Sequence, residues 1–413
     1  MAFPLYGPEF SADPYPTYRR LRESGPVHRV EFPSGVHGWL VTGYHAARQT
    51  LTDPRLGKNH ALGNDRWRRL AAIMPEPQHT QLQAHLLHQD PPKHTVIRKL
   101  ITETLTPRRV EALDDRLTEL AERMIRDAPA GGPVDLVAGF AGRFPFAVLA
   151  EVIGLEEPLR SGFRREWGKV VQPVGPRSPL RGTYERLLRE LQSYIHEVVA
   201  AKRADLGDDL LSRLVEATDA GALTPDELSS TVFQLLVAGQ EPVTNQLTTA
   251  VVALLRDPGA LTALRADPAL LGRGVDELMR YDGAFELTTW RFFGADADLH
   301  GTRIPAGDSV IVSLAAANRD PAAFADPDRL DLGRPAVPHL GFGHGAHYCP
   351  GAALGRAELR AMLAALLPRL PDPAPPVPDE LDWIPAVLTR GVQHLPIPLR
   401  PDAPPSAPVR PAP

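Results

Sequence analysis

Cysteine is almost missing from this chain. Cys349 stands alone among 413 residues, so no disulfide forms within the chain, and a reducing compartment suits it. Basic residues are not in excess either: 45 Lys and Arg face 50 Asp and Glu, for a net charge of −5. That balance excludes the basic footprint of a nucleic-acid binder. Only Lys58, Lys93, Lys99, Lys169 and Lys202 are lysines, and Arg supplies the rest. No apolar run reaches the roughly 18 residues that a membrane-spanning helix needs. The N-terminal stretch carries Glu9, Asp13 and several prolines where a signal peptide would place a basic and then an apolar region. The expected location is the cytoplasm, with no membrane and no nucleic acid among the partners.

What is present reads as an ordinary globular protein, 43% hydrophobic and 23% charged. The pattern is mostly helical with small β-sheets at both ends of the chain. A short helix is expected over Tyr15 to Ser24 and a strand over residues 38–42. Helical periodicity dominates residues 93–280, and another helix is expected over 352–367. Thr302-Arg303-Ile304-Pro305-Ala306-Gly307 followed by Val310-Ile311-Val312 has the spacing of a hairpin. Residues 401–413 are rich in proline, without periodicity, and are expected to be a disordered tail.

One helix stands out. Thr224-Pro225-Asp226-Glu227 is a capping box with Pro at the first helical position. The pattern then runs to Arg256, about 30 residues or ~45 Å. Its middle holds Ala238-Gly239-Gln240-Glu241-Pro242-Val243-Thr244. Gly and Pro inside a helix cost about 1 and 3 kcal/mol relative to Ala, so a break here needs a reason.

The chemistry concentrates at Phe342-Gly343-His344-Gly345-Ala346-His347-Tyr348-Cys349-Pro350-Gly351. Glycines around one Cys let the backbone approach a flat ligand, and the helix that follows favours a thiolate. Such a thiolate is a proximal ligand for haem iron. His344, His347 and Cys349 are also zinc-ligand types, but a fourth ligand is missing.

The string resembles the haem-binding loop of the cytochrome P450 family, of the soluble bacterial type. The resemblance extends over about residues 10–400 and implies a single domain, residues 1–400, with the cytochrome P450 fold: a long central helix over a buried haem. Glu277-Leu278-Met279-Arg280 matches the E-x-x-R motif, and Phe324 to Leu330 the segment that pairs with it. The implied structural network is Glu277, Arg280 and Arg329. Asp90-Pro91-Pro92-Lys93-His94-Thr95-Val96-Ile97-Arg98 matches D-P-P-x-H-T-x-x-R, with His94 and Arg98 on one helix face. By the resemblance His94, Arg98, Arg291 and His347 hold the propionates of haem b, and Phe342, Gly343 and Gly351 flank the axial Cys349.

The long helix departs from the family. Where members read A-G-x-[DE]-T, Ala238, Gly239 and Glu241 match, but Pro242 replaces the Thr. By resemblance, Gly239 opens a groove for dioxygen, while Glu241 and the missing hydroxyl would steer protons. Thr244 is the nearby candidate, about 200° further round an ideal helix. Pro242 leaves the Ala238 carbonyl without its usual donor.

The function implied is a haem-thiolate monooxygenase that activates dioxygen to oxidise a small natural product in secondary metabolism. Alternatives are oxidative coupling or desaturation, for which Pro242 is less of an obstacle, and a haem-binding sensor. Pocket contacts are expected from residues 60–89, with Trp67, Arg66, Arg68, Arg69, His79, His85 and His88. Others are expected from residues 165–182, with Trp167, Pro173, Pro176 and Pro179 as a lid, from Gln234 and Leu235, from residues 285–289 including Glu286, and from residues 384–388. No dinucleotide fingerprint occurs, so the chain takes no electrons from NAD(P)H itself. The resemblance implies ferredoxin and ferredoxin reductase as donors, with Arg108, Arg109, Arg356 and Arg360 as the expected docking patch.

Overall fold

The computed structural model describes residues 5–71, 74–128, 132–171, 174–176, 178–336, 338–378 and 380–400. The expected tail, 401–413, lies outside them.

Helices form the bulk of the molecule, as the periodicity requires. The capping box at Thr224 is complete: its hydroxyl accepts from the Glu227 N–H, and the Glu227 carboxylate accepts from the Thr224 N–H. The helix it starts does not run through to Arg256. Pro225–Ala238 ends at Gly239, and a second helix, Glu241–Arg256, begins after Gln240. Gln240 has φ −115° and ψ −66°, which is where the chain is reset. The cause is Pro242: at the second position of the new helix its missing N–H is not needed, whereas inside one long helix it would be.

Residues 245–255 of the second helix are buried on every side. They form the axis of the largest apolar cluster, with Ala352–Leu366, Leu271–Tyr281 and Asp114–Arg126 around them. A second cluster joins Arg181–Ala204 to Pro225–Ala238. Among the described residues no single helix is long and apolar enough to cross a membrane.

A five-stranded sheet flanks the helices, in the order Val27–Glu31, His37–Val41, Ser309–Val312, Arg291–Phe293, Leu56–Gly57. His37–Val41 pairs parallel with Ser309–Val312, and the other neighbours are antiparallel. The expected hairpin is therefore corrected. Thr302–Ile304 turns back on Ala297–Leu299 instead, while residues 310–312 join the main sheet. The turn between them uses His300 and Gly301 at φ 51° and 80°, which matches the twist of a tight hairpin.

Candidate active site

The cysteine loop is shaped by its own backbone. The Cys349 N–H donates to the Phe342 carbonyl at 2.9 Å, and Tyr348 N–H to Gly345 at 3.0 Å. Gly343 and Gly345 sit at φ 73° and 74°. A Cβ on Gly345 would lie 2.6 Å from the Leu51 carbonyl oxygen, so only glycine fits. Gly351 caps the Ala352–Leu366 helix, and its N–H is directed at the Cys349 sulfur. Phe342 packs against Gly355, with the Arg356 guanidinium 4.5 Å from its ring centre. Burial raises the Cys349 thiol above its ordinary range, and the Gly351 N–H, Arg98 and Arg356 oppose this only in part. Such a sulfur becomes a thiolate when a metal binds it.

Beside this loop lies a nest of arginine, lysine and histidine side chains. His94 and Arg291 are buried, and the His94 and His347 rings are 4.4 Å apart. Arg98 donates to the Tyr348 carbonyl at 2.9 Å, and among the described residues Arg291 reaches only the Thr289 carbonyl, at 3.4 Å. Lys58, missed in the sequence, belongs here too. It is fully enclosed, with its ammonium on Thr289 Oγ1 and the Trp290 carbonyl. Nothing in its Leu-Gly-Lys-Asn context marks it out.

Among the described residues no carboxylate hydrogen-bonds to these side chains. The nearest, Asp90, accepts from the backbone N–H groups of Lys58 and Asn59. His94 Nε2 and His347 Nδ1 are buried without a partner. Burial, then Lys58, His94, Arg291 and Arg98, push His347 down to about 2, and burial lowers Arg291 to about 10. Buried cations of one sign are unstable unless an anion joins them. The two propionates of a haem, beside a thiol that faces the same space, meet that need. The donor set therefore fits the group. Zinc does not fit, because no cluster of metal-ligating side chains occurs among the described residues.

The helix break leaves several side chains accessible. Ala238 is exposed and residues 239 and 241–244 keep partial access, although 245–255 are buried. One expectation changes here. A Cβ on Gly239 would lie 3.0 Å from both methyls of Leu149, so this glycine serves close packing. Thr244 donates to the Ala141 carbonyl at 2.9 Å and to Gln240 at 3.1 Å, so its hydroxyl is tied to the neighbouring π-turn and away from Glu241. The Glu241 carboxylate instead receives Thr389 Oγ1, at 3.5 Å.

Other expected residues fall as follows. Arg280 grips Glu277 at 2.7 and 2.9 Å, deep in the protein. The third member is Arg334, at 3.1 Å from both Glu277 oxygens, rather than Arg329. Arg329 offers only its carbonyl, and its exposed side chain pairs with Asp331. Glu286 is not a pocket contact. It is buried, accepts from Tyr18 at 2.8 Å, and lies 3.7 Å from Arg390.

His79, His85 and His88 cluster with His60, another residue the sequence did not single out. Each has a buried ring nitrogen without a partner among the described residues. Arg68 is on the surface with Asp65, while Trp67 is buried. Trp167 is buried against Phe163 and Tyr194, and Pro173 lies outside the described residues. Of the docking arginines, Arg356 is held by Asp276 at 2.7 Å and Arg360 by Asp114 at 3.0 Å. Arg108 and Arg109 are exposed.

Comparison with known proteins decides the family. A family model described as Cytochrome P450 matches residues 176–371. The cytochrome P450 monooxygenase PikC of Streptomyces venezuelae is 42% identical over 397 residues, 95% of this chain and 92% of that protein. The chain belongs to the cytochrome P450 family. The 6-deoxyerythronolide B hydroxylase of Saccharopolyspora erythraea is 36% identical, covering 95% of this chain and 98% of its own length. The tirandamycin C-bound P450 monooxygenase TamI superimposes with a TM-score of 0.85 at 34% identity, covering 95% of this chain and 98% of that one. This P450 is thus a haem-thiolate monooxygenase of natural-product metabolism, with Cys349 as its only available thiolate. Its partners are a small-molecule substrate, dioxygen and a redox protein.

Proposed function

We propose that this P450 hydroxylates a macrolactone or related polyketide in the cytoplasm, with electrons from a ferredoxin and its reductase. Residues 1–400 act as one domain in this reading. The observation that carries it is the nest of His94, Arg98, Arg291 and His347 beside the Cys349 thiol, to which no carboxylate hydrogen-bonds among the described residues. Haem bound there supplies the dioxygen-activating chemistry. The chain's own residues do the rest. Arg98 and Arg291 offer charge-assisted hydrogen bonds to the propionates, and the two histidines complete the shell. The Gly351 N–H stabilises the sulfur.

Ala238, Gly239, Glu241 and Pro242 border the dioxygen side. The imidazoles of His60, His79, His85 and His88 suit an oxygen-rich substrate, each with a ring nitrogen to share. Polyketide hydroxylation is preferred to coupling because the hydroxylase named above acts on 6-deoxyerythronolide B. The test is an optical titration of the holoenzyme with macrolactones, aromatic polyketides and cyclic dipeptides. A low- to high-spin Soret shift with a macrolactone is expected. A shift confined to cyclic dipeptides would contradict the reading.

A further inference from the structure

Pro242 denies the helix break a side-chain hydroxyl, and Thr244 spends its own on Ala141 and Gln240. A hydroxyl from elsewhere in the chain reaches Glu241. Thr389 Oγ1 donates toward Glu241 Oε1 across 3.5 Å. Thr389 is 1% exposed, whereas Glu241 keeps partial access to the space at the helix break.

The segment carrying Thr389 is fixed from several sides. Thr389 bridges Phe285 in antiparallel fashion. The Arg390 N–H donates to the Ala284 carbonyl at 2.8 Å, and the Leu388 carbonyl accepts from the Glu286 N–H at 2.9 Å. The Arg390 guanidinium is pinned by Asp282 at 2.7 Å. A Cβ on Gly391 would lie 2.5 Å from Asn245 Oδ1. Only glycine lets the segment lie this close to the helix that begins at Glu241.

We propose that Thr389 is the positioning residue for Glu241, supplying from the 384–391 segment the hydroxyl that Pro242 withholds from the helix. The inference rests on the monooxygenase reading above. In that reaction, RH + O2 + 2 e− + 2 H+ gives ROH + H2O, with electrons from the redox protein and protons from solvent. Glu241 passes protons inward, and Thr389 holds its carboxylate in one orientation. When proton delivery lags, the same two electrons and two protons leave as H2O2. Without substrate, dioxygen leaves either as H2O2 or, after four electrons and four protons, as two H2O.

The test uses holoenzyme variants Thr389→Val, Thr389→Ser and the double variant Pro242→Thr with Thr389→Val. The infrared carboxylate band of Glu241 is located as the band lost in Glu241→Gln. It is expected to move in Thr389→Val and to stay in Thr389→Ser. Peroxide released per NADPH is then measured with ferredoxin and its reductase, without substrate. Thr389→Val should raise the peroxide share about threefold, a small part of what a positioned proton donor contributes. Thr389→Ser should behave as wild type, and Pro242→Thr should reverse the defect.

An unmoved band overturns the proposal. So does a moved band with an unchanged peroxide share, which would leave Thr389 as a structural contact. Absence of a Soret band from the wild type would instead strike the haem reading, and the infrared band would still report on the contact.

Discussion

At the scale of single residues, the site is a buried excess of positive charge. Arg291 is 5% exposed and has only a 3.4 Å contact with a carbonyl. Replacing it by Leu removes one charge-assisted hydrogen bond to a propionate, worth about 1.5–3 kcal/mol. Haem transfer to apomyoglobin should therefore become about 10- to 100-fold more favourable. The haem-free protein should melt higher in the same variant, because an unpaired buried charge is gone. If affinity and melting temperature fell together, Arg291 would be a packing residue.

Glu286 makes a second residue-scale case. Burial pushes it up to about 7, against the pull of Arg390 and Tyr18. Its folded-state value lies above its ordinary one, so the folded protein binds the extra proton. The associated stability is fully present below about pH 4.5 and is lost as pH rises toward about 7, up to roughly 3 kcal/mol in all. Urea melts across that window should show the decline in wild type and a flatter profile in Glu286→Gln. Parallel profiles would refute it.

At the scale of elements, legibility followed locality. The capping box at Thr224, the helix over Tyr15–Ser24 and the glycine-bounded cysteine loop were readable because each is set by neighbours in sequence. The break at Gly239–Gln240 was marked by Pro242, but its outcome was not. A helix pattern alone cannot tell a kink from a restart. Partners far apart in sequence were the least legible. Arg334 reaches Glu277 across a loop that no periodicity describes, and Arg329, one motif position earlier, points to solvent. Lys58 and Thr389 are invisible for the same reason: their partners lie more than a hundred residues away. Arg334→Ala should cost about 3–5 kcal/mol, since it uncovers half of a buried carboxylate's pairing. Arg329→Ala should stay within about 0.5 kcal/mol, as an exposed substitution does. Chemical melts of the two variants decide it; equal losses would return Arg329 to the network.

At the scale of the whole molecule, Arg98 links its helix to the cysteine loop through the Tyr348 carbonyl, and the main sheet carries Arg291. In the proposed reading electrons enter from the side of the cysteine loop. Arg356 and Arg360 are committed to Asp276 and Asp114, which leaves Arg108 and Arg109 as the exposed pair of the four. Arg109→Glu should slow first-electron transfer from ferredoxin several-fold at low salt, and added salt should shrink the difference. A rate unchanged at low salt would place the docking surface elsewhere.

One spectrum tests directly whether Cys349 is a haem thiolate. The purified protein is reduced, exposed to carbon monoxide, and compared with Cys349→Ala. The account predicts the strongly red-shifted Soret band of a thiolate-ligated haem in the wild type and its loss in the variant. A wild-type band at the position of a histidine-ligated haem, or the same red-shifted band in Cys349→Ala, would contradict it.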